Sequence, residues 1–375
     1  MKTREPIVLL TLPLVAGTAA GVFPALLPAA LRSAAATAVA LTAGSAAILL
    51  LNRQKSLYNN ALLPVLFFLC GLLGAWTAAL CGGAAAPDFL EEAAGAAATR
   101  FRARIDTLPF PHEGTAPLVK ALLTGDRSGL SRQTVATFRE SGASHLLALS
   151  GLHAGILYLF LSKFLSILGN SMTIRRFRGI AILLAAAFYT LMTGASPSMV
   201  RAFLFITIRE LSHLAGREPA PLSVLALALS IQLVLHPAVL RSVGFQLSYA
   251  AMLGIFLLFP VLERAYPVTE TRGPLGRWTT RHEPLRLVWN SAALSLACQA
   301  FTAPLAWLYF KAFPRYFLVT NLLAIPLTTC LVPTALITLV SNSLLPSTRV
   351  DTLLITLTDR LASLLQHTLA IIATM

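Results

Sequence analysis

Residues 144–153 read SHLLALSGLH and continue as AGILYLFLS to the first charge, Lys163. A helix needs about 20 apolar residues to cross a bilayer, and this segment is long and greasy enough to do so. Yet Ser-Gly-Leu-His sits near its middle, where a plain lipid anchor gains nothing from polar and flexible residues. Ser150-Gly151 loosens a helix, His153 places an ionisable ring close to the break, and Gly155 gives room for another backbone. Polar residues in such spans face a bundle interior or a pathway. The plainer reading makes Ser150 and His153 helix–helix hydrogen-bonding groups. The rest of the chain decides between an anchor and a lined passage.

The 375 residues are 56% hydrophobic and only 12% charged, with a mean hydropathy of +0.74. A soluble domain carries about twice that charge fraction, so the chain belongs to the membrane class. Net charge is +14, and arginine supplies most of the 29 basic residues. Basic loops follow from orientation in an inner membrane; arginine is also the better phosphate partner. Cys70, Cys81, Cys298 and Cys330 show no CxxC or Cys/His spacing, which argues against structural zinc. The N-terminus MKTREPIVLLTLPLVAG starts like a signal peptide, but its apolar run continues to Leu31. It reads as a retained first span.

Apolar segments predict spans near 7–31, 34–51, 61–80, 143–166, 179–194, 198–214, 221–237, 242–262, 287–310, 317–341 and 353–373. The fold class is an all-α polytopic membrane protein of about eleven helices, some broken or re-entrant, with amphipathic surface helices. Lys2, Arg4, Arg53, Lys55, Arg175, Arg176, Arg178, Arg217, Arg264, Arg272, Arg277, Arg281 and Arg286 fall on one side of this count. That places the N-terminus in the cytoplasm and the C-terminus outside. Three parts follow: a membrane segment 1–80, an external segment 81–142, and a membrane domain 143–375.

In the external segment, EEAAGAAATRFRARIDTL forms an amphipathic helix with Phe89, Phe101 and Ile105 toward the membrane interface. TAPLVKALLTGDRSGLS gives a short helix ending at Gly125 and a turn. Ser131 caps a further helix that Gly142 ends.

Three more interruptions resemble the first. In TGASPSMVRAF (193–203), Ser196 can cap a re-entrant or half helix whose first position is Pro197. Its N-terminus points free N–H groups at a nearby anion, and Arg201 one turn in adds a full charge. A buried arginine without a partner is costly. Glu210 is the one acid within helical reach, and Arg209 is its nearer neighbour. GFQLSYAA (244–251) carries Gln246 and Ser248, and NLLAIPL (321–327) carries Asn321 and the kinking Pro326. Four interruptions in four spans argue for a lined passage.

With LLTGDRSGLS at 122–131, these stretches resemble, in order, the membrane core of the ComEC competence family, the DNA-uptake channel of bacterial transformation. The likeness spans roughly 118–345. It implies a multi-pass inner-membrane protein passing single-stranded DNA from periplasm to cytoplasm. A periplasmic DNA receptor, a cytoplasmic DNA motor and membrane lipids are the implied partners. Matching motifs places Ser150, Gly151, His153, Ser196, Ser198, Arg201, Gln246 and Asn321 along the path. Which of them touches DNA is a matter of chemistry: phosphates suit Arg201, and the hydroxyls and amides suit neutral bonds. The external helices would form a mouth where Arg100, Arg102 and Arg104 draw DNA in.

Fuller family members resemble a three-part protein with an external OB-type domain and a C-terminal metallo-β-lactamase-like domain. Here 81–142 is too short for an OB barrel, and the seven histidines hold no HxHxDH cluster. No nuclease activity, metal site or cofactor is expected. The rivals are a small-solute transporter, disfavoured by the shortage of buried carboxylates, and a non-transporting membrane scaffold for a separate nuclease or motor. An intramembrane hydrolase using Ser150 and His153 lacks any sign of an oxyanion hole or third group.

Overall fold

A computed structural model describes residues 6–22, 68, 71, 88–169, 171–216, 218–266, 270–273, 276–279, 284–311, 315–344, 346 and 348–375. The expected spans at 34–51 and 61–80, and the end of the first one, lie outside the described residues apart from positions 68 and 71. The described elements are, in order, α1 (Pro6–Val22), α2 (Asp88–Asp106), α3 (Thr115–Thr124), α4 (Arg132–Glu140), α5 (Ser144–Leu147) and α6 (Gly151–Ser166). Then come α7 (Met172–Met192), α8 (Pro197–Leu214), α9 (Pro221–Leu235), a 3-10 turn (Pro237–Arg241), α10 (Val243–Leu257) and α11 (Phe259–Arg264). A hairpin of β1 (Glu270–Gly273) and β2 (Gly276–Thr279) precedes α12 (Pro284–Phe310), α13 (Phe317–Leu344) and α14 (Arg349–Ala373). Among the described residues the fold is therefore helical except for this antiparallel hairpin, which pairs Arg272 with Arg277 and was not foreseen.

Three of the described helical segments are long and apolar enough to cross a membrane: Val243–Arg264, Leu285–Phe310 and Phe317–Leu344. Leu257, Val261, Leu287, Trp307, Phe310 and Val340 on these segments are exposed, a surface that lipid can cover and water cannot solvate well. Pro304, Pro326 and Pro333 all lie inside continuous helices. Thus the helix that Pro326 is expected to kink continues past it to Leu344. The expected span 143–166 is instead two helices, α5 and α6, parted by extended backbone at Ala148 and Ser150.

The chain groups into two compact units, Met1–Asp88 with Leu204–Gln246, and Phe89–Phe203 with Leu247–Met375. In the first, α1 lies along α9, with Thr11 Oγ1 3.2 Å from Ser230 Oγ. Gly17 lies so close to the backbone of Phe68 that a Cβ has no room. The second unit joins the expected external helices to the C-terminal hairpin of α13 and α14.

That hairpin follows from spacing. On α14 the buried residues Asp351, Ile355, Thr358, Ala362, Leu365, Leu369 and Ile372 advance in alternating steps of four and three, the repeat that keeps one seam against a partner helix. Threonines meet across the seam, Thr338 Oγ1 lying 2.8 Å from Thr358 Oγ1. Leu331, Ala335, Leu365 and Leu369 join Ile105, Leu118, Leu122, Phe138 and Leu146 in one core. The apolar face of α2, expected at the lipid interface, instead packs here through Phe101 and Ile105, because α3 and α4 supply it with Leu118, Leu122 and Phe138.

Asp359, which interrupts the last expected span, turns inward and fastens α14 to the start of α3. It accepts from the His112 backbone N–H at 3.2 Å and from Thr115 Oγ1 at 2.6 Å, and its other oxygen lies 2.6 Å from His112 Nδ1. Removing the carboxylate strands these donors. Asp359→Ala is expected to lose about 3 kcal/mol of stability, read as a lower thermal midpoint of the detergent-solubilised protein.

Candidate functional site at two helix starts

The polar residue types of SHLLALSGLH acquire a local explanation in the structure. Ser150 has extended backbone (φ −126°, ψ 169°) and is the N-cap of α6. Its Oγ accepts the Leu152 N–H at 3.3 Å, and its own N–H donates to His153 Nδ1 at 3.4 Å. This is a capping box with histidine in the place usually held by Glu or Gln. The contact between Ser150 and His153 (Oγ to Nδ1, 3.3 Å) belongs to that cap. Because Nδ1 accepts, the neutral ring carries its proton on Nε2. His153 is 1% exposed, and this Nε2 is buried with no hydrogen-bond partner.

The LLTGDRSGLS turn holds this helix start in place. Gly125 ends α3 in the left-handed conformation (φ 75°), the setting that favours glycine. A Cβ there would also strike the Leu149 side chain. Arg127 Nε donates to the Leu147 carbonyl at 3.0 Å, closing the C-terminal end of α5. Asp126 accepts both the N–H and the hydroxyl of Ser128. The Ser128 hydroxyl, then its N–H, hold the Asp126 carboxyl below its ordinary pKa of 3.8, with Arg102 and Lys120 adding to the effect. The turn is thus fully tied above that range and loosens only as pH falls through the lowered value. Tyr189 on α7 donates to the Leu123 carbonyl at 2.9 Å, and Thr320 on α13 donates to the Ser141 carbonyl at 2.5 Å.

The second helix start follows two successive residues of positive φ, Gly194 (77°) and Ala195 (45°). The Ser196 carbonyl accepts the Val200 N–H at 2.9 Å, as an N-cap residue does. Its hydroxyl does not cap, however: Ser196 Oγ is buried without a partner. From Pro197 the helix runs 18 residues to Leu214. Ser198 Oγ donates to Ser248 Oγ on α10 at 3.1 Å.

Arg201 brings these elements together. It is 6% exposed, and its guanidinium carbon lies 5.7 Å from the centre of the Tyr249 ring. A Cβ built on Gly151 would sit 3.0 Å from Arg201 Nη2, so a side chain at 151 would press the guanidinium aside by a few tenths of an ångström. Among the described residues, no carboxylate lies within ion-pair distance of Arg201. Its Nη1 is buried without a hydrogen-bond partner. Neither α6 nor α8 has an acidic residue in its first turn. A full positive charge therefore rests against the positive end of one helix while riding near the positive end of its own. Nothing anionic on these two helix starts offsets it.

Other expected site residues are placed differently. Asn321 lies on α13 with its Oδ1 buried and unpartnered. Gln246 belongs to the other compact unit, where its amide donates to the Leu240 carbonyl at 2.8 Å. Gly155, expected to admit a neighbouring backbone, has nothing within 4 Å of a built Cβ. Of the three arginines on α2 expected to face outside, Arg102 faces Asp126 at 3.5 Å, and Arg104 donates to the Asn342 carbonyl at 3.3 Å. Arg100 is exposed on α2. Tyr249, Arg127 and Tyr189 were not singled out beforehand, although Tyr249 and Arg127 stand inside the quoted motifs.

Residues 122–375 match the model of the Competence protein family. The chain belongs to that family. This Competence protein is 28% identical over 227 residues to ComE operon protein 3 of Bacillus subtilis, covering 60% of this chain and 26% of the relative. It is 25% identical over 232 residues to Recombination protein 2 of Haemophilus influenzae, covering 60% and 28%. It is also 25% identical over 234 residues to protein YcaI of Escherichia coli, covering 61% and 29%. The chain thus spans under a third of the length of these relatives. No solved structure matches it.

The two glycines of α6 offer a direct check on this packing. Gly155→Ala is expected to raise the thermal midpoint, by about 1 kcal/mol of helix propensity. Gly151→Ala forces the guanidinium to move and is expected to lower it.

Proposed function

We propose that this Competence protein moves single-stranded DNA across the bacterial inner membrane, from periplasm to cytoplasm, during natural transformation. Family membership supports a role in uptake, and the apolar helices support a place in the membrane. The observation that carries the strand-passing step is Arg201: a buried cation whose Nη1 has no hydrogen-bond partner, with no carboxylate in ion-pair range among the described residues and two helix starts beside it. Such an arrangement is unfavourable until an anion arrives. A phosphate of a passing strand meets the need, because its oxygens accept charge-assisted hydrogen bonds from guanidinium and helix N–H groups alike.

A conduit must also let go. One arginine holds a phosphate weakly enough for the next to replace it, where a dense basic patch would trap the strand. Ser196, whose hydroxyl has no partner, and Asn321 offer neutral bonds along the route. His153 Nε2–H supplies a further donor. Arg100 on α2 remains a surface charge able to draw DNA in, whereas Arg102 and Arg104 are committed to holding α2. A receptor on the periplasmic side and a motor on the cytoplasmic side complete the reading, with the N-terminus inside.

Arg201→Ala is expected to cut DNA import at least about tenfold, equivalent to about 1.4 kcal/mol, with the protein present in the membrane at normal amount. Arg201→Lys keeps the charge but loses the planar fork, and is expected to fall between. Transformation frequency and membrane immunoblots check both, and near-normal import by Arg201→Ala removes this residue from the route.

A further inference from the structure

An arginine kept ready for a passing anion poses a difficulty that the Arg201 reading does not resolve. The usual way to hold a buried guanidinium is a carboxylate, but a carboxylate would compete with every phosphate that arrives. In this structure the neighbour is an aromatic face. Tyr249 stands one residue after Ser248, whose hydroxyl bonds Ser198 at 3.1 Å, and this bond fixes α10 against the first turn of α8. The same register brings the Tyr249 ring to 5.7 Å from the Arg201 guanidinium. Tyr249 is itself buried at 6% exposure, and Gly151 also lies close to the guanidinium, a Cβ there falling 3.0 Å from Nη2.

We infer that Tyr249 is a positioning residue that holds the Arg201 guanidinium for phosphate in place of a carboxylate. The inference rests on the reading of Arg201 given above and names the device that makes it workable. A ring face attracts a cation through its quadrupole, and does so more strongly when both are desolvated. It carries no net charge, so it leaves the positive charge of Arg201 undiminished for a ligand. The ring contact lies 5.7 Å from the guanidinium carbon and leaves Nη1 without a hydrogen-bond partner. An aliphatic residue at 249 would leave the cation without this support. An acid there would close the site by neutralising it.

The test replaces Tyr249 with phenylalanine and then with mono-, di- and trifluorophenylalanine in the full chain reconstituted in lipid nanodiscs. Fluorine withdraws charge from the ring face while changing its size little, so a role in packing alone is not disturbed. Binding of a fluorescent oligothymidylate is measured for each, with the thermal midpoint alongside. The inference expects affinity to fall stepwise with fluorination, by about threefold to tenfold across the series, with the protein still folded at the assay temperature. Affinity that is unchanged or tighter across the series overturns it. Arg201→Ala, measured in parallel, separates the two levels. If that variant binds like the parent, the reading of Arg201 itself fails. If it loses binding while the fluorinated series stays flat, only the role of Tyr249 fails. Tyr249→Phe against Tyr249→Leu in transformation adds the cellular arm, with Phe expected to retain import and Leu to lose it.

Discussion

A buried guanidinium with no carboxylate beside it among the described residues is the constraint around which the second compact unit is arranged. Isolated in apolar surroundings, such a charge costs several kcal/mol. Placing it beside a helix N-terminus adds to the cost. The structure keeps Arg201 there through an aromatic face at Tyr249 and a bare backbone at Gly151. Both choices keep the charge undiminished. A protein selected only for stability would place an acid within reach, or no charge at all.

The surrounding helices explain how so costly a geometry persists. The break at 148–150 is fixed from outside by Arg127 on the Leu147 carbonyl and by Leu149 packed on Gly125. Those turns stand on a core shared by α2, α3, α4, α13 and α14. Asp359 clamps α14 onto the start of α3 by three contacts. Stability drawn from this apolar assembly holds the strained turn at Gly194-Ala195 and the open donors of His153 and Arg201. Strain of this kind persists where its surroundings over-determine it, and it gathers at functional sites.

Much of this was legible in the sequence. Gly125, Gly142 and Ser131 mark helix ends and a cap by rules that act within one turn. Arg201 stood out because the one acid in helical reach had a nearer partner. The motif order pointed to the family. What escaped has a common physical cause: it depends on residues far apart in the chain. Asp359 looked like an interruption of a span because its partners, His112 and Thr115, lie 247 and 244 positions away. Arg102 and Arg104 looked like surface charges until Asp126 and the end of α13 came beside them. Gly151 and Gly155 look alike in sequence, yet only Gly151 faces another group. His153 as a cap was hidden because histidine seldom fills that position of the box.

The account turns on what meets Arg201 when a strand is present. The most direct measurement is a structure of the protein in a lipid nanodisc with single-stranded DNA bound. The account predicts a phosphate oxygen within about 3 Å of a guanidinium nitrogen of Arg201, with the Tyr249 ring still beside the guanidinium. A strand running elsewhere, with Arg201 closed off from it by tightly packed side chains, would contradict it.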